Sequence, residues 1–331
     1  METVKSRTGF EIPRFILGTF AYGGGTSWQD TTDDDAELTD MLRRACEAGV
    51  YGLDTAPVYG VGRSERIVGS LIAQNRENFF IQTKCAMQWR STEGTFMYTR
   101  DGFSIYKNFA ADSIRRDVED SLKRLGTDYI DLMIMHQCPT EQEAPEAFKA
   151  LNSMKEEGMI RGIGISNLVR TKDPVETLEM CCRYADIDLV QEGGSLLKQE
   201  YTRRISSECE KHSIVYQAHS SLEKGALAGK RIEGITSWTN DNRSAYKWFQ
   251  PENIPALDRL QEGLADIAGR YGCGVPALCL AWLKRLGNEV SILAGTRKME
   301  HLTGMLESLD VDISDEDAAL MEELADRAVK N

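Results

Sequence analysis

Eight alternations of a short apolar run with an amphipathic stretch predict an α/β chain closed into a (β/α)8 barrel of the TIM type, with a β-hairpin at its N-terminus and long βα loops. Three observations carry this. The 331 residues show no compositional break, so residues 1–331 read as a single domain rather than two of ordinary size. Alternating strand and helix patterns imply a parallel sheet clothed by helices. No strand-to-helix turn carries the G-x-G-x-x-G of a doubly wound dinucleotide-binding sheet: Gly60-Val61-Gly62 comes nearest, and Glu65 stands where the third glycine belongs.

The elements follow in order. Residues 2–15 read as a hairpin turning at Thr8-Gly9, and Phe15 to Thr19 as the first buried strand, followed by the flexible Tyr22-Gly23-Gly24-Gly25. Asp33-Asp34-Asp35 suits either a metal or a helix N-terminus, where carboxylates meet free N–H groups. The next residues favour the cap, because Leu38, Met41, Leu42, Ala45 and Cys46 share one helical face that Gly49 ends. A strand at 50–54 leads to a helix at 65–73. A strand at 79–83 leads through a long connection to a helix at 112–125, with Asp112 as cap, Ile114, Val118, Leu122 and Leu125 as its stripe and Gly126 as its stop. Strands at 129–135, 160–165 and 187–191 precede helices at 144–157, 174–184 and 200–211. A strand at 213–218 runs into a long loop and helices at 254–271 and 275–286. A strand at 290–294 precedes a helix at 299–308, and a tail helix covers 315–329.

Composition narrows the function. A hydrophobic fraction of 41% supports a sizeable core, and a net charge of −13 argues against nucleic acid and anionic membrane as partners. The eight cysteines form no C-x-x-C and sit mostly in apolar patterns, as free thiols of a reducing compartment do. The charged opening Met1 to Arg7 does not suit a signal peptide, and no apolar run approaches the ~18 residues of a membrane span. The expectation is a soluble cytoplasmic protein holding no metal.

Polar residues end several strands where a structural strand needs none. Asp54 closes the second and opens Thr55-Ala56-Pro57-Val58-Tyr59-Gly60; Lys84 ends the third; His136 ends the fourth; Ser166-Asn167 end the fifth. In a barrel these all fall on the C-terminal rim, where chemistry is built. Singly, each has a plain structural role: a turn cap, half-buried packing, a solvated tip, a satisfied core histidine. Together they form a proton-transfer set. A tyrosine with a pKa near 10 is a poor acid at neutral pH; a neighbouring lysine favours its phenolate, an aspartate keeps that lysine charged, and a histidine at the mouth can hydrogen-bond a substrate oxygen. Two long loops, about 87–111 and 222–252, are rich in aromatics, among them Trp89, Phe96, Tyr98, Trp238 and Trp248; they suit either loop packing or flaps walling a substrate pocket.

Gly52 to Gly69 resembles the aldo-keto reductase signature. So do Thr83-Lys84, Asp128 through His136, Arg161 to Asn167, and Ile292 to Arg297, in one register from about residue 5 to 325. The bacterial and potassium-channel β-subunit branches look most similar. The resemblance implies hydride transfer between a nicotinamide cofactor, NADP(H), and a small-molecule carbonyl or alcohol. It implies Tyr59 as general acid, Lys84 as its pKa modulator, Asp54 as partner of Lys84 and His136 as the orienting group. Ser166, Asn167 and Gln191 match the residues that hold the carboxamide, and Gly18 and Thr19 match backbone contacts near the nicotinamide. The pyrophosphate and adenosine end is expected along Ser220, Ser221, Leu222, Gly225, Gly229 and Lys230, and then Gly295, Thr296, Arg297 and His301. Arg297 favours the 2′-phosphate of NADPH, which a guanidinium pairs through a planar fork.

Departures from the family pattern follow. The aromatic residue expected to stack on the nicotinamide is His219. The usual Tyr-Asn after Gln191 becomes glycine and Ser195, and Ser-Pro-Leu becomes Ser220-Ser221-Leu222. The adenine-holding Glu and Asn become Gly304 and Met305. These changes leave the catalytic four intact and predict weaker NADPH binding than is typical; glycines at 193 and 194 predict extra room near the ring. Two other readings keep the same tetrad: a cofactor-binding regulatory sensor with little turnover, and a lyase or isomerase with tightly held cofactor.

Overall fold

The computed structural model describes residues 2–24, 34–229 and 242–330. The chain opens on an antiparallel hairpin of β1 (Thr3–Lys5) and β2 (Glu11–Pro13), with Val4 opposite Ile12. The barrel strands and their helices then alternate: β3 (Phe15–Gly18), α1 (Asp35–Glu47), β4 (Gly52–Asp54), α2 (Arg63–Ile72) and β5 (Phe80–Cys85). Three short strands interrupt: β6 (Met87–Gln88), β7 (Thr95–Arg100) and β8 (Phe103–Lys107). The alternation resumes with α3 (Ala111–Leu125), β9 (Ile130–Met135), α4 (Ala144–Glu156), β10 (Ile160–Ser166), α5 (Pro174–Tyr184), β11 (Leu189–Gly193), α6 (Gln199–Lys211) and β12 (Val215–His219). It ends with α7 (Ile254–Arg270), α8 (Val275–Lys284), β13 (Val290–Ala294), α9 (Met299–Leu306) and α10 (Asp315–Lys330).

Eight strands close into a barrel in the order β3-β4-β5-β9-β10-β11-β12-β13 and back to β3, every pair parallel. The expected (β/α)8 barrel and its N-terminal hairpin are both present. Inside, Ile16, Leu132, Ile134, Leu189, Val215 and Leu293 form an apolar plug, completed from below by Val4 and Ile12 of the hairpin. Ser6 and Thr8 fasten that hairpin by donating to Asp188 Oδ1 at 2.8 and 2.5 Å. The larger core lies between the strands and the helical ring.

Asp34 caps α1, accepting from the N–H groups of Ala36 and Glu37, as the cap reading of the acidic run expects; Asp33 lies outside the described residues. Asp112 falls inside the first turn of α3, whose N-cap is Ala110, so it serves the helix dipole without capping it. The connection after β5 is more than a loop: β6, β8 and β7 make a three-stranded antiparallel sheet in that order. Its signal is visible in retrospect. Asp101-Gly102, both at positive φ, is a hairpin turn flanked by β-forming residues. The cysteines are free thiols, five of them buried. No helix among the described residues is long and apolar enough to cross a membrane.

Candidate active site

The apolar plug gives way, toward the C-terminal rim, to a buried polar layer. Inward positions alternate along each strand, so Gln82 and Lys84 of β5, Gln191 of β11, Gln217 of β12 and Ser291 of β13 converge with Asp54 at the end of β4. Lys84, only 1% exposed, places Nζ 2.9 Å from Asp54 Oδ1, 2.8 Å from Oδ2 and 2.9 Å from the Thr55 carbonyl, enough acceptors for its three protons. Asp54 Oδ2 also accepts from Gln82 Nε2 at 2.6 Å and Gln191 Nε2 at 2.9 Å. Both amides donate in turn to Gln217 Oε1, at 2.7 and 2.8 Å. Gln217 Nε2 reaches Ser291 Oγ at 3.1 Å, and Ser291 donates to the Pro13 carbonyl. A buried charge pair is costly unless its remaining lone pairs are satisfied, and this layer satisfies them. Gln82, Gln217 and Ser291 were not anticipated. Their signal is glutamine at an inward strand position, a residue rarely buried without a partner.

Tyr59 stands above the ion pair on the turn after β4, its N–H donating to the Ala56 carbonyl. Lys84 Nζ lies 4.9 Å from its ring centroid, and the rings of Phe20 and His136 meet it edge-on at 5.0 and 6.0 Å. The turn is held by backbone contact: Gly60, at φ +61°, lies against Gly23, and a Cβ at either position would sit within 2.5 Å of the other's backbone. Burial raises the Tyr59 pKa, and the opposing Lys84 charge does not overcome it. The net direction is opposite to the lowering expected from the lysine alone, because both side chains are desolvated together. Burial also opposes the charge of Lys84, but Asp54 and then Tyr59 outweigh it and raise its pKa.

His136 follows β9, its N–H donating to the Cys85 carbonyl. Burial, reinforced by Lys84, lowers its pKa well below the ordinary range, so the imidazole is neutral, and its Nδ1 is buried with no hydrogen-bond partner. Asp54, Tyr59, Lys84 and His136 are therefore brought together.

The other expected residues form an arc along the rim. Ser166 ends β10, and Asn167 adopts φ +64° so that its Nδ2 reaches the His136 carbonyl at 2.8 Å and Ser166 Oγ at 3.2 Å. Buried Glu192 secures that turn, accepting from Val169 N at 3.1 Å and Gly193 N at 2.8 Å. Half-buried His219 ends β12, with Nδ1 3.1 Å from Ser220 Oγ and its pKa lowered by burial and then by Lys84 to about 4. Ser220, at φ +56°, Leu222 and Gly225 follow it, while Ser221 turns inward to the Ala218 carbonyl. Thr19 Oγ1 donates to the Asp54 carbonyl. Gly18 packs against Gly295, where a Cβ would lie 2.9 Å from the Gly18 oxygen. The Thr296 carbonyl accepts from Tyr22 Oη; Arg297 follows it, and the exposed His301 lies in the first turn of α9. Lys230 and Trp238 lie outside the described residues.

Two expectations change. Room exists at Gly193, where an added Cβ meets only His219 Cε1 at 3.8 Å, but not at Gly194, where it would lie 2.1 Å from Tyr216 Oη. The two aromatic loops also part ways. Trp89, Met97 and Tyr98 pack with Tyr59, whereas Trp248 and Phe249 belong to the main core.

The sequence profile of the Aldo/keto reductase family matches residues 14–326. The chain belongs to this family. Among relatives of this aldo-keto reductase, an Escherichia coli (strain K12) protein named NADH-specific methylglyoxal reductase is 33% identical over 323 residues, 96% of each chain. A Bacillus subtilis (strain 168) aldo-keto reductase is 31% identical, covering 94% of this chain and 89% of its own. The solved glycerol dehydrogenase of Gluconobacter oxydans superposes with a TM-score of 0.85 at 27% identity, over 99% of this chain and 96% of that one. This aldo-keto reductase is thus an oxidoreductase that interconverts carbonyls and alcohols with a nicotinamide cofactor.

Proposed function

We propose that Tyr59 is the proton donor of an NADPH-dependent carbonyl reduction, poised by Lys84 and Asp54 and assisted by His136. The observation that carries this is the buried Lys84–Asp54 pair at 2.8 Å directly beneath the Tyr59 ring. When bound, the reduced nicotinamide supplies a hydride to the carbonyl carbon. Tyr59 gives its hydroxyl proton to the carbonyl oxygen, which becomes the alcohol hydroxyl, and solvent later restores the proton. Burial keeps Tyr59 protonated until it is needed, and the adjacent ammonium stabilises the phenolate as it forms. Neutral His136 orients the substrate oxygen.

The polar inventory of the rim fits a primary carboxamide. Gln191 and Asn167 spend their N–H donors within the protein, which leaves Gln191 Oε1 and Asn167 Oδ1 as acceptors, while Ser166 keeps its own hydroxyl proton. Two acceptors and one donor complement an NH2 and a C=O. Gly193 leaves His219 uncovered beside them. Arg297 supports NADPH through its fork geometry; the relative named as NADH-specific makes NADH the alternative to measure.

The test is nicotinamide oxidation followed optically with aldehydes, ketones and sugars, using both cofactors. Tyr59→Phe lowers kcat by about 10²–10⁴-fold if Tyr59 is the acid. A variant as active as the parent refutes the assignment. Lower kcat/KM with NADPH than with NADH refutes the cofactor preference.

A further inference from the structure

The mouth above Tyr59 carries positive charge that the tetrad does not use. Arg100 ends β7 on the sheet inserted after β5. Its guanidinium carbon lies 5.0 Å from the Tyr98 ring centroid and 5.6 Å from that of Phe20. Both rings belong to the wall of the site: Phe20 touches the Tyr59 ring at 5.0 Å, and Tyr98 packs in the cluster around Tyr59. Arg170 stands nearby on the loop after β10, its N–H donating to the carbonyl of Asn167. The chain has thirteen more acidic than basic side chains. Even so, among the described residues neither arginine makes a salt bridge; the acid that the Arg170 charge acts on is Glu192, whose oxygens already accept from Val169 and Gly193 N–H, whereas Arg76, Arg90 and Arg124 are all paired with acids.

We propose that the substrate of this site is an anionic carbonyl compound, its carboxylate or phosphate received by Arg100 with Arg170 beside it, and its carbonyl presented to Tyr59. This rests on the reading of Tyr59 as proton donor. A guanidinium laid over aromatic faces is partly stripped of water and held in one plane, which preorganises its donors for the two oxygens of a carboxylate or phosphate. The same charges reach the tetrad, since Lys84, Arg170 and Arg100 all add to the burial that keeps His136 neutral. A neutral His136 adds no further cation at the carbonyl end. The charged end of the substrate then faces the arginines and its carbonyl faces the uncharged phenol and imidazole.

The test compares matched pairs on the full chain: 4-oxobutanoate against its methyl ester, and glyceraldehyde 3-phosphate against glyceraldehyde. At least one anion is expected to exceed its neutral partner by about tenfold or more in kcat/KM, and Arg100→Gln brings that ratio to within about threefold. Arg170→Gln lowers it less. Which pair responds tells carboxylate from phosphate. Ratios near one in both pairs, or a ratio unmoved by Arg100→Gln, overturn the proposal. Calorimetry supplies a readout without turnover: glutarate or glycerol phosphate binds, glutaramide and glycerol do not, and Arg100→Gln abolishes the binding. If no carbonyl is turned over but that binding is present and depends on Arg100, the anion site stands and the role of Tyr59 falls. Turnover of neutral carbonyls with no anion preference and no such binding overturns the anion site alone.

Discussion

Replacing Asp54 with asparagine probes the centre of the site at nearly constant volume. In the native protein Asp54 accepts from Lys84 with both oxygens and from Gln82 and Gln191 with one. An asparagine amide turned to Oδ2 would face three donors, and turned the other way would face the ammonium. Neither orientation is satisfied without flipping glutamines that Gln217 already fixes. Lys84 would be left 1% exposed with no counter-charge. An uncompensated buried charge costs about 3–5 kcal/mol, so Asp54→Asn loses about that much stability at pH 7. The cost depends on pH with a definite sign. The native Lys84 has a folded pKa above its ordinary 10.5, so its stabilising contribution is complete below that value and is lost only as pH rises past the folded pKa. In the variant the folded pKa falls below 10.5, and the penalty shrinks by about 1.4 kcal/mol per pH unit between the lowered value and 10.5. Urea unfolding of parent and variant at pH 7 and pH 10 reads both terms. A loss below about 1 kcal/mol at pH 7, or an equal loss at both pH values, would refute the reasoning that Asp54 is present to hold Lys84 charged.

Three further outcomes follow from particular contacts. Gly194→Ala places a methyl 2.1 Å from Tyr216 Oη, 3.1 Å from Thr202 Cγ2 and 3.2 Å from Ala218 Cβ, and should cost about 1–3 kcal/mol in urea denaturation. Tyr216 Oη is buried without a hydrogen bond, so Tyr216→Phe alone is neutral or stabilising; in the double variant it recovers at least about 1 kcal/mol, and an additive cycle contradicts the clash. Gln217→Leu removes the acceptor shared by Gln82 and Gln191 and leaves both donors short, costing about 1–3 kcal/mol and lowering kcat more than it raises KM; an unchanged pH profile of kcat with full stability argues against the layer. Fluorescence titration should give an NADPH Kd above about 1 μM, because His219 covers less of a ring than an aromatic would, Gly304 presents no side chain, and Met305 is buried in the core; tighter binding contradicts this.

The barrel was legible because it rests on periodicity: each strand and helix announces its inward face locally, and eight repetitions leave little choice of topology. The grouping was legible because Asp54, Lys84 and His136 sit at strand ends and Tyr59 on the turn that follows one of them, where rim position follows from the element boundary. Less visible were features set by contacts between distant segments. The sheet of β6, β7 and β8 has a clear turn signal in Asp101-Gly102, but the register shift between Phe96 and Tyr98 breaks the alternation that would mark β7 as a strand. The difference between Gly193 and Gly194 depends on Tyr216 of the next strand, which reaches one and not the other. The direction of the Tyr59 pKa depends on how deeply phenol and ammonium are buried together, a balance of burial against the Lys84 charge that residue identity leaves open.

The three glutamines connect these levels. A barrel interior is ordinarily filled by branched apolar side chains in layers, and the lower half of this one is: Ile16, Leu132, Ile134, Leu189, Val215 and Leu293. Above them a carboxylate and an ammonium must be held without water, and an apolar layer would leave two of the four hydrogen bonds to Asp54 unmade. Gln82 and Gln191 supply those two bonds and Gln217 accepts from both of them, so the layer is satisfied without adding charge. Gln191 faces both ways, with its donors turned down to Asp54 and its oxygen left for the rim. Whatever that oxygen binds is therefore coupled through one side chain to the aspartate beneath Tyr59. On this account substitutions in the glutamine layer shift the pH dependence of turnover as well as stability, whereas substitutions in the apolar plug below shift stability alone.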